Sequence, residues 1–422
     1  MVKKLLKRWK RRPLLSRRAG ACDFAIVVLT TGLVIFGIVM VFSASYYFSL
    51  NNTGSPYGYL RKQTLWAIIG FAIMYGCSKL DYHAWRRWSI YIILGSLFLL
   101  VLVLTPLGTN VNGATRWLYI GPVSIMPGEI AKWAVIIFVA AYFSADAKRI
   151  KTVRYGIVPM VILVGVFCGL IVKQPNLSTA MTLAGIVFLM MVIAGLKRIW
   201  IILAAALGGG AIVFVLSARE FLSGSNAYWA KRITSFMNPF ADAKGDGYQV
   251  VQSLLALGTG GLKGLGLGHS IQKNLYLPEP QNDFILSIIG EELGFIGICA
   301  LLCVFLLLLW RCLIISMNAP DRMGMLLAGG YGVMIGVQVI LNVAVVTSSM
   351  PPTGVALPFI SYGGNTLWVC MAGIGITLNV SRQISSGGAE PAAPRQRSRE
   401  RASGGRKRRK RAVARRRTAA ES

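Results

Sequence analysis

Acidic residues are scarce. Fifteen Asp and Glu stand against 45 Lys and Arg in 422 residues, a formal net charge of +30. Charged residues of both signs make up only 14% of the chain, against about 25% in a typical soluble domain. With 55% hydrophobic residues beside them, this excludes a water-soluble enzyme, a disordered chain and a secreted disulfide scaffold. Histidine occurs only at His83 and His269, which argues against a His-based metal site or a Ser-His triad. The seven cysteines are scattered without a CxxC pair. Most sit in apolar runs, where Cys behaves as a small hydrophobe. No cleavable signal is evident, because the first apolar run is long and no small-residue cleavage site follows it.

Long hydrophobic runs are what the chain has in abundance. A bilayer core needs ~20 mostly apolar residues per helix. Ten such runs are present, at 24–48, 62–78, 88–107, 128–145, 156–173, 178–196, 199–216, 284–312, 323–348 and 355–380. The expected fold is an all-α polytopic membrane protein with ten transmembrane helices. An even count puts both termini on one side. Residues 1–20 carry nine Lys/Arg and residues 383–422 carry thirteen, so the positive-inside rule makes that side cytoplasmic. Three regions follow: a basic tail at 1–21, a membrane domain at 22–382 and a basic, disordered tail at 383–422. The tails read as solvated ends that touch anionic head groups. A nucleic-acid role is not expected, since the basic runs lack interleaved stacking aromatics.

Between spans 7 and 8 lies a 67-residue extracellular loop, 217–283, a length usually tied to function. Within it, 247–257 has helical apolar spacing and is expected along the membrane interface. The following GTGGLKGLGLGHS reads as a loop. No strand precedes it, so a phosphate-binding P-loop is not expected. The segment 108–127 links spans 3 and 4. The segment PPTGVALPFISYGGN, at 351–365, breaks the start of span 10. Such a break is tolerated where backbone is buried in protein or lines a cavity.

Ionisable residues in or beside spans are site candidates by default. Glu129 and Lys132 share a helix face at i,i+3 and form either a structural pair or a cavity wall. Asp283 opens span 8. It is either a helix-N-terminal acid or a general base tuned by desolvation. Glu291 and Glu292, two turns deeper, require partners and read as a buried structural network. Arg61, Lys62, Arg116 and Lys173 either snorkel to head groups or ring an anionic, lipid-linked substrate. Trp66, Trp117 and Tyr119 fit an interfacial aromatic belt.

Several stretches together carry a resemblance: NGATRWLYIGPVSIMPGEIAKWA, KQPNLSTA, KRITSFMNPFADAKGDGYQVVQSLLALGTGGLKGLGLG, YLPEPQNDFILSIIGEELGFIG and PFISYGGNTL. Over roughly 22–382 the chain resembles the SEDS family (shape, elongation, division and sporulation) of bacterial cell-wall proteins. GLGLGHSIQKNLYLPEP is closer to the FtsW/SpoVE branch than to the RodA branch. The resemblance implies a peptidoglycan glycosyltransferase that polymerises lipid II at the outer face of the cytoplasmic membrane. It implies a class B penicillin-binding protein as partner, with other divisome proteins. It matches Asp283 to the family's essential acid, Glu129 and Lys132 to its PSE-x-x-K pair, and Lys62, with Arg61 beside it, to a basic residue of its second span. Two departures stand out. QPDxGTA reads QPNLSTA, placing Asn176 where the family has Asp, and PSE reads PGE, where Gly128 removes a possible N-cap hydroxyl.

On that footing Asp283 is expected as general base for the acceptor hydroxyl. Lys132, Lys62 and Arg116 are expected to stabilise the departing diphosphate. A divalent cation, Mg²⁺ or Mn²⁺, is an allowed helper; no organic cofactor is implied. Direct displacement would invert the donor to a β-1,4 bond. The alternatives are a lipid II flippase, since broken helices and midplane acids also mark transporters, and a non-catalytic divisome scaffold.

Overall fold

The structure is a computed structural model that describes residues 20–111, 114–121, 123–217, 236, 239–242, 245, 247–352 and 354–387. Eleven helices and one small sheet make up the described residues: α1 (Phe24–Thr53), α2 (Gly58–Lys79), α3 (Tyr82–Val103), β1 (Gly108–Val111), β2 (Ala114–Ile120), β3 (Val123–Ile125), α4 (Pro127–Ala145), α5 (Val158–Lys173), α6 (Leu177–Ile193), α7 (Arg198–Ser217), α8 (Tyr248–Gly260), α9 (Ile285–Asn318), α10 (Arg322–Val346) and α11 (Gly364–Gly387). Six helices are long and apolar enough to cross a membrane: α1, α3, α4, α5 with the π turn before it, α9 and α10. Helix α6 and the first part of α7 are shorter apolar helices. The fold is that of a helical, multi-pass membrane protein.

Local chemistry sets where the helices begin. Asp23, Asp81, Asn176 and Asp321 cap α1, α3, α6 and α10 by accepting from the N–H groups of Ile26, His83, Thr179 and Gly324. Each cap satisfies a donor that the first turn leaves orphaned. Pro127 starts α4, where its missing N–H costs nothing.

Three of these caps meet at one end of the bundle. Asp23 pairs with Arg311 and its N–H donates to Ser381 Oγ. His83 bridges Asp81 (2.8 Å) and Asp321 (2.7 Å). Asn379 accepts from the Tyr82 N–H and donates to the Ser78 carbonyl. This clamp ties α1, α3, α9, α10 and α11 together, and the described ends of the chain lie in it. The opposite end carries the sheet, α8 and the segment 351–363, and is called here the site end.

Two features at the site end depart from the sequence-based expectation. Strands β1, β2 and β3 form an antiparallel sheet in that order, with Leu118 opposite both Gly108 and Ile125. Span 10 is expected from 355, but α11 begins at Gly364, because 354–363 is non-helical. Helix α8, expected along the membrane interface, packs on α9. Its Ser253 hydroxyl bonds the Ser287 hydroxyl (2.7 Å) and the Val346 carbonyl (2.8 Å).

The Gly-rich loop splices into a broken helix. In α9, Gly294 has φ +69°, which interrupts the i→i−4 ladder. The break frees the carbonyls of Glu291 and Glu292 and the N–H groups of Phe295 and Ile296. All four find partners in the loop. Leu265 and Gly266 donate to the two carbonyls (2.9 Å each), and Phe295 and Ile296 donate to Gly261 and Leu262 (2.9 and 3.2 Å). A β-carbon at Gly264 would lie 2.2 Å from the Glu292 carbonyl oxygen, so only glycine permits the approach. Unsatisfied backbone groups at membrane depth cost several kcal/mol each. The glycines therefore serve the helix break.

Candidate active site

Asp283 is the residue before last of the chain that leads into α9. Its main-chain carbonyl accepts from Asn342 Nδ2 of α10 (2.8 Å), and the same amide group donates to the Val355 carbonyl (2.7 Å). Two residues earlier, the Gln281 carbonyl accepts from the Tyr362 N–H (2.9 Å). The approach to α9 is thus pinned to α10 and to 351–363 by backbone atoms, which leaves the Asp283 side chain half-buried at the surface of a cavity. That cavity has a volume of about 420 Å³ and is lined by Gly245, Tyr248, Gln249, Pro278, Glu279, Asn282 and Asp283. Asn282 Nδ2 donates to Glu279 Oε2 (2.7 Å), orienting the second carboxylate there.

The other candidates form a separate group below the sheet. Lys132 and Glu129 pair at 2.7 Å and are 2% and 6% exposed. Glu129 Oε2 is buried without a hydrogen-bond partner among the described residues. Asn176 is buried at the start of α6, where its Oδ1 accepts from Ser178 Oγ (3.0 Å) and the Thr179 N–H (3.3 Å). The pair and this cap are neighbours, because a β-carbon on Gly128 would lie 3.0 Å from Thr179 Cγ2. Gly128 is the second residue of α4, whose N-cap is Met126. The expected loss of a capping hydroxyl does not arise there; the glycine lets α6 approach α4. Arg116 of β2 donates to the Gln174 and Pro175 carbonyls, so the guanidinium closes the α5–α6 turn.

Arg61 and Lys62 are exposed at the start of α2, and Lys173 is exposed at the end of α5. None of the seven residues from Arg61 to Asn176 just described as cations, pair or cap lines the Asp283 cavity. The segment 351–365 joins the two groups. Ser361 accepts from Gln63, Tyr362 donates to Gln281, and Asn365 donates to the Ser124 carbonyl of β3. Trp66, expected in an aromatic belt, packs on Tyr362 (4.8 Å between ring centres).

The predicted network at Glu291 and Glu292 is present. Both side chains are fully buried. Glu291 accepts from Ser270 Oγ and from the N–H groups of Ile271 and Gln272. Glu292 accepts from Lys273 Nζ (2.9 Å) and Ser43 Oγ (2.6 Å). Sequence reasoning missed Lys273, which reads as a loop residue, and Asn342, although a lone amide in an apolar run was a readable signal. It also missed Tyr248, Gln249 and Glu279 as cavity walls.

Among the described residues no group of three or more His, Cys, Asp or Glu could hold a metal. The cavity offers the carboxylates of Asp283 and Glu279 and the Asn282 amide, and Glu279 is already engaged by Asn282. This is not a complete ligand set for a divalent cation, so no chemical step is routed through one.

Comparison with known proteins agrees with this architecture. The cell cycle protein family that groups FtsW, RodA and SpoVE matches residues 23–386. A probable peptidoglycan glycosyltransferase FtsW of Geobacter sp. (strain M18) is 37% identical over 87% of this chain and 99% of its own length. Stage V sporulation protein E of Bacillus subtilis is 41% identical over 85% of this chain and 97% of its own. Among solved structures, a chain from work on "Structural coordination of polymerization and crosslinking by a peptidoglycan synthase complex" superposes with a TM-score of 0.70 at 25% identity, over 86% of this chain and 98% of that one. Rod shape determining protein RodA of Thermus thermophilus gives 0.63 at 26% identity, over 86% and 97%. By this match and these identities, the chain belongs to the FtsW/RodA/SpoVE family of cell cycle proteins.

Proposed function

We propose that the chain is a peptidoglycan glycosyltransferase that polymerises lipid II for division or sporulation septa. The observation that carries this reading is Asp283: an acid at the mouth of an open cavity, at the site end, in a chain of this family. The relatives' names supply the activity. Helices α1–α7 and α9–α11 are read as ten spans. The end that bears the clamp also carries Lys79, Arg86, Arg87, Lys148, Arg149, Lys151, Arg154, Lys197 and Arg198. That excess makes it the cytoplasmic end and turns the site end outward. The reading divides the chain at 21 and 383, with basic tails flanking the membrane domain. A class B penicillin-binding protein is the proposed partner, in keeping with the coupled polymerisation and crosslinking of the structural neighbour.

In the reaction, the 4-hydroxyl of the acceptor sugar attacks the anomeric carbon of the donor. A new C–O bond forms as the bond to the lipid diphosphate breaks, with inversion. Asp283 takes the hydroxyl proton, a role typically worth about 10²–10⁴-fold. The diphosphate leaves with its electron pair and needs cations rather than an acid. Arg61, Lys62 and Lys173 are the candidates with exposed side chains. Lys132 and Arg116 are held by Glu129 and by backbone carbonyls, and support the scaffold.

The test uses the purified protein with its class B partner and labelled lipid II. Wild type is expected to give a glycan ladder and Asp283→Asn none, at equal folded yield. A wild-type ladder from the variant would remove Asp283 as base. Lipid II translocation in vesicles without any ladder would favour the flippase.

A further inference from the structure

The Asp283 carboxylate has a built seat contributed by residues far from it in sequence. Asn342 is fully buried in α10, and its amide donates both hydrogens, one to the Asp283 carbonyl and one to Val355. That single group fixes the start of α9 against 351–363. One residue before Val355 is Gly354, exposed and in the left-handed region at φ +72°. A β-carbon built on Gly354 lies 2.9 Å from Asp283 Oδ2, closer than real β-carbons approach. The backbone of 354 therefore occupies the space directly beside the carboxylate, and only glycine leaves room for it.

We propose that Asn342 and Gly354 are positioning residues: Asn342 sets the distance between α9 and 354–363, and Gly354 leaves room for the Asp283 carboxylate at the place where the acceptor hydroxyl arrives. This rests on the reading of Asp283 as general base. Proximity effects make such placement costly to disturb, since a shift of about 1 Å can cost 10²-fold in rate. An alanine at 354 pushes its methyl into Oδ2. The carboxylate is the end of a short side chain and is displaced, and the left-handed φ at 354 adds backbone strain next to it. A leucine at 342 keeps the volume but removes both donors, so the two segments lose their common tie. Both changes act on the same carboxylate, and their effects should not add.

The experiment measures kcat and KM for lipid II in the full chain with its class B partner, on monodisperse protein. The variants are Gly354→Ala, Asn342→Leu, the double variant and Asp283→Asn. Gly258→Ala is the control, because a β-carbon there meets nothing within 4 Å. The expected result is a fall in kcat of tenfold or more for each single variant, with KM within twofold of wild type. The double variant should be no worse than about twice the weaker single, and the control should match wild type. Unchanged kcat in Gly354→Ala, beside an inactive Asp283→Asn, overturns the proposal. So does a rise in KM at constant kcat, which would make the segment a binding surface. Should Asn342→Leu fail to give monodisperse protein, Gly354→Ala decides, since its side is exposed and the core is untouched. An active Asp283→Asn would instead sink the general-base reading itself.

Discussion

Asp283 and the pair Glu291–Glu292 lie within ten residues of one another on the same stretch of chain, and they live in opposite surroundings. Glu291 and Glu292 are fully buried, and their carboxylates collect hydroxyls, N–H groups and the Lys273 ammonium. Asp283 is half-exposed at a cavity, and what the protein secures tightly is its backbone. The comparison teaches how one apolar helix can carry acids of two kinds. A fully buried carboxylate is out of a substrate's reach, and the donors around it offset the cost of burying its charge. An acid whose main chain is pinned and whose side chain lines a cavity is placed where a substrate proton can reach it.

The strongest way to break this contrast is to exchange the consequences. Asp283→Asn is expected to lower polymerisation by about 10²–10⁴-fold while the thermal midpoint in detergent stays within about 2 °C, the shift that a change of less than 1 kcal/mol gives in a chain this large. Lys273→Met is expected to do the reverse. Breaking a buried ion pair strands a charge and costs about 3–5 kcal/mol, so the folded yield should collapse. Lys273→Met with Glu292→Leu should recover most of that loss, because an apolar pair of similar volume removes the stranded charge. Thermal unfolding and monodisperse yield check both. If Lys273→Met leaves stability untouched but abolishes turnover, the two acids are not divided as described.

These two acidic sites were unequally legible in the sequence. Runs of apolar residues dictate spanning helices, and the helix ends lie within several residues of the expected spans for α1 to α7 and for α10. The need of Glu291 and Glu292 for partners follows from burying charge, so the network could be expected without naming its members. Lys273 could not be named, because its partnership depends on the loop folding back onto a residue 19 positions further along the chain. The sheet was missed because 108–125 mixes turn residues with a short alternating run, and its pairing is a tertiary outcome. The same holds for Asn342: its polarity in an apolar run is visible, whereas its two acceptors, 59 and 13 residues away, are not.

The splice between the Gly-rich loop and α9 offers a finer probe of the buried half of the contrast. Gly264→Ala places a methyl 2.2 Å from the Glu292 carbonyl oxygen. Overpacking of this kind costs about 1–3 kcal/mol. Gly258→Ala, on the open side of α8, should be neutral or slightly stabilising. Comparing the two thermal midpoints isolates the splice from helix propensity. Equal midpoints would mean that the loop does not insert where Gly294 breaks the ladder.

The smallest effect is expected at the clamp, a further group of hydrogen-bonded carboxylates, at the end of the bundle far from Asp283. Burial pushes the Asp81 carboxyl up, but hydrogen bonds from the His83 side chain and N–H and from Gln383 outweigh it and hold the group at about 2. Asp321 is likewise lowered: burial opposes, while His83, the Gly324 N–H and the Tyr82 hydroxyl prevail. Both folded values lie below the ordinary value of 3.8. The stabilisation is therefore complete above that value and is lost as pH falls towards 2. His83→Gln removes the shared partner of both carboxylates. Wild type should be the more stable of the two at pH 6, by no more than about 1 kcal/mol because Asp321 is partly exposed. The gap should close between pH 4 and pH 2 as the carboxylates protonate in both proteins. A gap that widens with acid would mean that His83 opposes the clamp. Because Asp283 lies at the other end, lipid II polymerisation by His83→Gln at pH 7 should match wild type, which separates the acids that hold the bundle from the cavity-lining one that is proposed to act.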